Sequence, residues 1–226
     1  MALLCDGLGG HRGGDVASEM AVSHIGNAWK QTEFTDISPD IIEEWLDKSI
    51  NEENQHILTA ASDFRDLEGM GTTLVGAAYF ADHLLLCNVG DSRIYGYRDG
   101  IMTQLTVDHS FINELRQSGQ FNEEEIQLHI NKHALTRSLG VNEEIKTDFY
   151  SFNQSDFTHL LLCSDGLSNV VSAEEMATIF EQNEGQADKI SDLLIEKALF
   201  NDASDNTTVI VICHQANDEW VEEDVQ

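Results

Sequence analysis

The chain has 226 residues, of which 41% are hydrophobic, so it is long enough to fold as one large domain and is unlike a disordered protein. The excess of 41 acidic over 12 basic residues gives a formal net charge of −29, which argues against binding to nucleic acid or to an anionic membrane. No segment reaches the ~20 apolar residues of a membrane span. The 4 cysteines lie in separate apolar runs without a Cys-x-x-Cys pair, so we expect reduced thiols and a cytoplasmic location.

Runs rich in Leu, Val, Ile, Tyr and Thr, each bounded by Gly, Asp or Asn, predict the β-strands. They span residues 2–5, 72–80, 83–89, 93–98, 102–105, 160–164 and 207–213. Turn dipeptides at 81–82 and 99–100 join neighbouring strands, which predicts antiparallel hairpins.

Apolar residues at helical spacing predict helices over 15–30, 39–62 and 186–200, and Ser172 with Glu175 forms a capping box before another. Residues 108–140 are polar, with short helical pieces at 111–118 and 122–128, and indicate a flap that leaves the sheets. Because hairpins outnumber βαβ units, the pattern favours an α+β fold of antiparallel sheets covered by helices.

Four aspartates lie where predicted strands begin or end. Asp6, Asp91 and Asp165 each follow a strand, and Asp205 precedes one. In an antiparallel sandwich such positions share a rim, so the four carboxylates can meet in one cleft. Carboxylates cannot all stay ionised side by side without a cation, and Mg²⁺ and Mn²⁺ prefer oxygen ligands. The carbonyl of Gly7 is a further candidate ligand, since glycine lets the backbone approach an ion closely.

Each aspartate alone has a simpler explanation. Asp-Gly is a common turn dipeptide, which accounts for Asp6 and Asp165. Asp91 can cap a loop, and Asp205 can form an Asx turn with Asn206. The residue pattern by itself therefore leaves both the turn and the metal interpretation open.

The strings around these aspartates resemble the motifs of the bacterial type 2C (PPM) metal-dependent protein serine/threonine phosphatases, in the same order. The similar strings are residues 5–18, 69–73, 89–95, 105–110, 135–140, 163–167 and 205–209. The resemblance implies a four-layer α-β-β-α sandwich of two antiparallel sheets flanked by helices. It also implies a single domain over 1–214 that lacks the family's amino-terminal strands, with 108–140 as the flap subdomain and 215–226 as an acidic tail.

The resemblance implies a role for each matched acidic position. Asp6 would bridge two metal ions, and the Gly7 carbonyl would join it on the first. Asp165 and Asp205 would hold the second ion, and Asp91 with Asp165 a third, weaker one. The implied cofactor is Mn²⁺ or Mg²⁺.

Three basic side chains are candidates for work on the substrate. His11 matches the family histidine that either orients substrate or assists proton transfer to the leaving alcohol; a loop-stabilising role is the alternative. Arg12 and Arg137 are candidates for binding the substrate phosphate.

The implied function is hydrolysis of phosphoserine and phosphothreonine in proteins by a metal-activated water. The implied partners are phosphorylated proteins and a cognate Ser/Thr kinase, and we expect a monomer. One alternative is a catalytically impaired regulatory or binding protein that keeps the phosphatase fold. Another is a metal-dependent phosphoesterase that acts on small molecules.

Overall fold

The computed structural model describes residues 1–8, 12–35, 37–80, 82–122, 125–126 and 134–214, and only the backbone of Arg12. The strands are β1 (Ala2–Leu4), β2 (Gly7–Leu8), β3 (Gly71–Thr72), β4 (Leu74–Phe80), β5 (His83–Val89), β6 (Arg93–Arg98), β7 (Ile101–Gln104), β8 (Asp148–Asn153), β9 (His159–Cys163) and β10 (Val209–Cys213). The α-helices are α1 (Arg12–Gln31), α2 (Pro39–Asp63), α3 (Phe111–Ser118), α4 (Asp165–Ser168), α5 (Ala173–Gln182) and α6 (Ala187–Phe200). Short 3-10 turns cover Arg65–Leu67 and Gln154–Asp156.

The strands form two antiparallel sheets and a small ribbon. The first sheet has the order β1-β4-β5-β8, and the second has the order β10-β9-β6-β7. Strands β2 and β3 pair separately. The longest pairing joins β4 to β5, from Leu74 opposite Val89 to Phe80 opposite His83. Strands β6 and β7 pair in the same way, from Tyr95 opposite Gln104 to Arg98 opposite Ile101, so both predicted antiparallel strand pairs are formed.

Three hydrophobic clusters separate four layers, because strand side chains alternate between the two faces of a sheet. On β5, Leu84 and Leu86 face the space between the sheets, and Leu85 and Cys87 pack under α1 and α2. On β9 the same alternation places Leu160 and Leu162 between the sheets. Its Leu161 and Cys163 pack under α5 and α6 instead. The predicted α-β-β-α sandwich is thus confirmed.

The helices begin where their sequences supply terminal signals. Ser38 precedes Pro39 at the start of α2, and proline suits a first helical position because its missing N–H has no partner there anyway. At α5 the amide of Glu175 donates to Ser172 Oγ over 3.3 Å, and the Ser172 amide donates to Glu175 Oε2 over 3.0 Å. The predicted capping box is present.

Besides the short strand β2 and the two 3-10 turns, two elements were not predicted. Strand β8 closes one edge of the first sheet by pairing with β5, from Asp148 opposite Asn88 to Asn153 opposite His83. Helix α4 begins at Asp165 directly after β9. The predicted start of the last strand at Thr207 is also wrong by two residues, since the strand begins at Val209.

The predicted flap is described in part. Its first helical piece is α3, over the predicted residues, and residues 125–126 of the second piece are helical. The rest of that piece and the predicted tail at 215–226 lie outside the described residues, and the predicted division of the chain stays a prediction. None of the helices in the described ranges has the length and apolar character needed to span a membrane.

Candidate metal centre

Asp6 is fixed by the backbone immediately after β1. Its carbonyl accepts hydrogen bonds from the Thr73 amide, at 2.8 Å, and from the Thr72 hydroxyl, at 2.9 Å. Its own amide donates to Thr73 Oγ1 over 3.1 Å. Thr72 and Thr73 therefore hold both the amide and the carbonyl of Asp6, and its carboxylate takes no part in these bonds.

The same threonine joins Asp6 to the segment that carries Asp91. Thr73 Oγ1 lies 2.7 Å from Ser92 Oγ, and both side chains are buried. Asp91 itself follows β5, across Gly90, whose φ of +112° favours glycine. A Cβ on Gly90 would also collide with the Thr73 side chain. The turn that presents Asp91 is therefore packed against the residue that holds Asp6.

Asp165 and Asp205 come together because β9 and β10 are neighbours. Ser164 Oγ donates to the Asn206 carbonyl over 3.1 Å and accepts from the Thr208 amide at 3.0 Å. Asp165 Oδ2 accepts from Asn169 one turn later in the chain, at 3.1 Å. These bonds fix the end of one strand against the start of the other.

The electrostatics of the four carboxylates show that they converge. Burial, followed by the charges of Asp165, Asp205 and Asp91, raises the pKa of Asp6 to about 7. Burial and then the charge of Asp165 raise the pKa of Asp91 to about 6. Burial and then the charge of Asp205 raise the pKa of Asp165. The charges of Asp91, Asp165 and Asp205 thus all act on Asp6, as expected for strand ends that share a rim, and the role of the four aspartates as metal ligands stays a prediction.

The donor set fits a hard divalent cation. The cluster offers carboxylate oxygens that repel one another, and a cation relieves that repulsion. The guanidinium of Arg93, on the neighbouring strand, is engaged elsewhere. Its hydrogen bonds to Asp108 include one from Nε to Oδ1 at 2.9 Å and one from Nη2 to Oδ2 at 2.7 Å. Oxygen-only sites of this type suit Mg²⁺ and Mn²⁺.

Gly7 lies directly beside Asp6, in the ribbon strand β2 opposite Thr72. A Cβ at Gly7 would collide with the backbone of Gly14 in the first turn of α1. The glycine is therefore required for the start of α1 to pack against β2. The role of the Gly7 carbonyl as a ligand stays a prediction.

A cavity of about 380 Å³ opens beside this cluster. Its lining includes Asp91 and Asp165 and, from α3, Ile112, Asn113 and Arg116. The predicted flap thus contributes directly to the wall of the site. These α3 residues were not predicted to line the site, although their spacing on one helical face is a signal that would have grouped them.

The structure says less about the three predicted substrate-binding residues. His11 lies outside the described residues, and Arg12 is described only as the first residue of α1. Arg137 Nη1 donates to Asp148 Oδ1 over 2.7 Å, so its guanidinium is engaged with the edge strand β8. The roles of all three stay predictions.

The chain matches known proteins over most of its length. Residues 1–194 match the family model described as protein phosphatase 2C. The chain belongs to the protein phosphatase 2C family. A curated relative in this family is the serine/threonine phosphatase stp of Listeria innocua, which is 42% identical over 94% of this chain and 83% of the relative. Protein phosphatase PhpP of Streptococcus pneumoniae is 38% identical over 96% of this chain and 87% of its own.

Solved structures of 2C phosphatases share the architecture. The serine/threonine phosphatase Stp1 from Staphylococcus aureus superposes with a TM-score of 0.87 at 32% identity, over 95% of this chain and 83% of that one. The catalytic domain of the phosphatase PstP in complex with 2 manganese ions superposes with a TM-score of 0.78, also at 32% identity, over 92% of this chain and 85% of that one. The resemblance seen in the sequence motifs therefore extends to the whole fold.

Proposed function

We propose that this 2C phosphatase hydrolyses phosphoserine and phosphothreonine in proteins at the four-aspartate centre. The observation that carries the proposal is that the carboxylates of Asp91, Asp165 and Asp205 lie close enough to Asp6 for their charges to raise its pKa. Asp6, Asp91 and Asp165 are half-buried, and Asp205 is exposed. Asp6 would bridge two cations, with the Gly7 carbonyl as a further ligand. Asp165 and Asp205 would complete the pair, and Asp91 with Asp165 would hold a third.

Mn²⁺ or Mg²⁺ supplies the chemistry that these side chains lack. When bound, such ions lower the pKa of a water molecule and offset the negative charge of the phosphoryl oxygens. The chain's own residues hold the ligand-bearing segments in place. Thr73 and Ser164 lock the backbones of the ligand-bearing segments through the hydrogen bonds that they make on either side of the cluster. The net charge of −29 makes neutralisation at this site necessary before a phosphate ester can approach.

A cysteine nucleophile does not fit the structure. Burial raises the pKa of the Cys163 thiol to about 12, and burial also raises that of Cys87 to about 12. Thiols with such values remain protonated at neutral pH and are poor nucleophiles. We therefore expect Cys163→Ser to retain turnover per folded molecule, and a loss of more than about tenfold would contradict a mechanism without covalent catalysis.

The cavity beside the cluster is the proposed seat of the substrate. It is lined by the side chains of two metal-centre aspartates and by α3, so a phosphorylated side chain entering it meets the centre on one side and the flap on the other. Arg116, which lines this cavity, is proposed to supply positive charge to the substrate phosphate. Arg12 and Arg137 remain the other proposed phosphate-binding residues. His11 is proposed to orient the leaving group.

We also propose that a Ser/Thr kinase supplies the phosphoproteins that this enzyme dephosphorylates, in the cytoplasm. All four cysteines are free, which agrees with a reducing compartment. The alternative of a catalytically impaired binding protein is disfavoured, because a copy released from catalysis has no reason to keep four repelling carboxylates in one partly buried cluster.

The proposal is tested with a phosphothreonine peptide and p-nitrophenyl phosphate in the presence of Mn²⁺. Asp165→Asn should lower kcat/KM by about 100-fold or more, since loss of a metal ligand forfeits several kcal/mol of transition-state stabilisation. Asp188→Asn removes the same charge from an exposed position in the first turn of α6 and is the matched control. Equal activity of the two variants would refute the proposal. Metal binding without turnover in the wild type would support the impaired alternative.

A further inference from the structure

A second group of metal-ligating side chains lies between α1 and α2. His24 projects from α1, and Glu53 and His56 project from α2 at a spacing of three residues. Glu53 Oε2 lies 2.8 Å from His24 Nδ1 and 3.1 Å from His56 Nδ1. One ligand atom from each of the three side chains lies within 4.8 Å of the other two. The three groups therefore converge on a single point between the helices.

Glu53 is the unusual member of this cluster. Its side chain is only 2% exposed, whereas those of His24 and His56 are 54% and 63% exposed. Its second oxygen, Oε1, is buried and has no hydrogen-bond partner among the described residues. It forms no ion pair with Lys or Arg in the described part of the chain either. A buried carboxylate oxygen without a partner is costly, so its retention calls for a partner that the protein atoms do not provide.

The spacing of the ligand atoms suits a tetrahedral ion. Zinc binds imidazole nitrogen and carboxylate oxygen at about 2.0–2.1 Å, so two ligands of one tetrahedral ion are separated by roughly 3.3 Å. The two N···O distances of 2.8 and 3.1 Å lie just below that value, and small rotamer changes would open them around an ion. A cavity of about 130 Å³, lined by all three side chains and by Ser49 and Glu52, provides space for the ion and a water ligand.

We propose that His24, Glu53 and His56 form a site for Zn²⁺ or a similar borderline transition-metal ion, separate from the phosphatase centre. Two imidazoles with one carboxylate are a donor set that Zn²⁺ accepts and that Mg²⁺ does not favour. The site therefore selects a different ion from the all-oxygen cluster. The fourth position is open to water.

The two sites are well separated along α1. His24 lies 12 residues after Arg12, which places it roughly 18 Å along the helix from the end nearest Asp6, at 1.5 Å per residue. An ion there would tie α1 to α2 on the outer face of the first sheet. Since α1 also packs its first turn against Gly7, the ion would brace the helix that borders the phosphatase centre.

Zinc binding by the full chain tests the proposal. The protein is dialysed against Zn²⁺ with Mg²⁺ in large excess to occupy the oxygen-only centre, and bound zinc is measured by elemental analysis. The variants are His24→Asn and His56→Asn, which replace exposed side chains and leave the hydrophobic core intact. His83→Asn, at a half-exposed histidine outside the cluster, is the matched control. Asp165→Asn reports any zinc that enters the phosphatase centre.

We expect wild type, His83→Asn and Asp165→Asn each to bind one equivalent of zinc. His24→Asn and His56→Asn should each bind this zinc with an affinity at least tenfold lower. Substitution with Co²⁺ should give the intense visible absorption of a four-coordinate ion, and this absorption should disappear in His24→Asn. Equal zinc affinity in wild type and both cluster variants would overturn the proposal. Zinc that is lost only in Asp165→Asn would also overturn it, because the ion would then belong to the phosphatase centre.

Discussion

The buried hydroxyl of Thr73 accepts a hydrogen bond from the Asp6 amide, so the position of Asp6 in the proposed metal centre depends on it. In Thr73→Val the shape is kept and only the hydroxyl is lost, so the Asp6 amide loses its acceptor and Ser92 Oγ loses its partner. Each buried polar group left without a partner costs about 1–3 kcal/mol. We therefore expect the free energy of unfolding to fall by roughly 2–4 kcal/mol, which most domains of this kind survive.

The assay is urea denaturation of the metal-free protein, followed by Mn²⁺ titration of phosphatase activity. Thr73→Ser is the matched control, because it keeps the hydroxyl and loses only a methyl group, at a cost of about 1 kcal/mol. The valine variant should also need a higher Mn²⁺ concentration for half-maximal activity, since Asp6 is no longer held at its amide. A valine variant as stable as the serine variant, with an unchanged Mn²⁺ requirement, would refute the reasoning.

Two further predictions concern the other segments that surround the centre. Asn54 is fully buried, accepts from the Gly140 amide at 2.7 Å and donates to the carbonyl of residue 142 at 2.8 Å, so Asn54→Ala should cost about 3–5 kcal/mol in a denaturation experiment; a cost below 1 kcal/mol would show that α2 does not hold the end of the flap. For Asp148, burial alone would raise the pKa, but hydrogen bonds from His109 and Arg137 outweigh it and lower the pKa. The stabilisation from its charge is therefore present above the unfolded pKa of about 3.9 and is lost as the pH falls through the lower folded value. The difference in unfolding free energy between wild type and Asp148→Asn should accordingly narrow between pH 5 and pH 2, and a difference independent of pH would contradict this account.

The sequence was most informative where local pattern and final structure agree. The side chains of β4, β5 and β9 alternate between two buried faces. Their apolar runs end close to the glycines and aspartates from which the strand ends were predicted. The positions of the four aspartates at strand ends followed from the same pattern. Their convergence could be proposed because the rim of an antiparallel sandwich brings such ends together.

Strand β8 escaped prediction because its stability comes from pairing rather than from its own residues. Asp148–Asn153 is a half-exposed edge strand, and every one of its partners is on β5, some 65 residues away. The cluster of His24, Glu53 and His56 escaped for a related reason. Whether a residue on α1 faces one on α2 depends on how the helices pack, and neither helical pattern alone contains that information.

The four aspartates of the proposed metal centre come from both halves of the sandwich. Asp6 leaves the first sheet, Asp165 and Asp205 border the second, and Asp91 lies on the crossing from one to the other. The relative alignment of the sheets is therefore a catalytic variable, adjusted by the hydrophobic layer between them. Trimming a side chain of that layer, such as Leu162, leaves a cavity between the sheets, and we expect the relaxation around it to alter the spacing of the carboxylates. The turnover rate is therefore expected to depend on how the two sheets pack against each other.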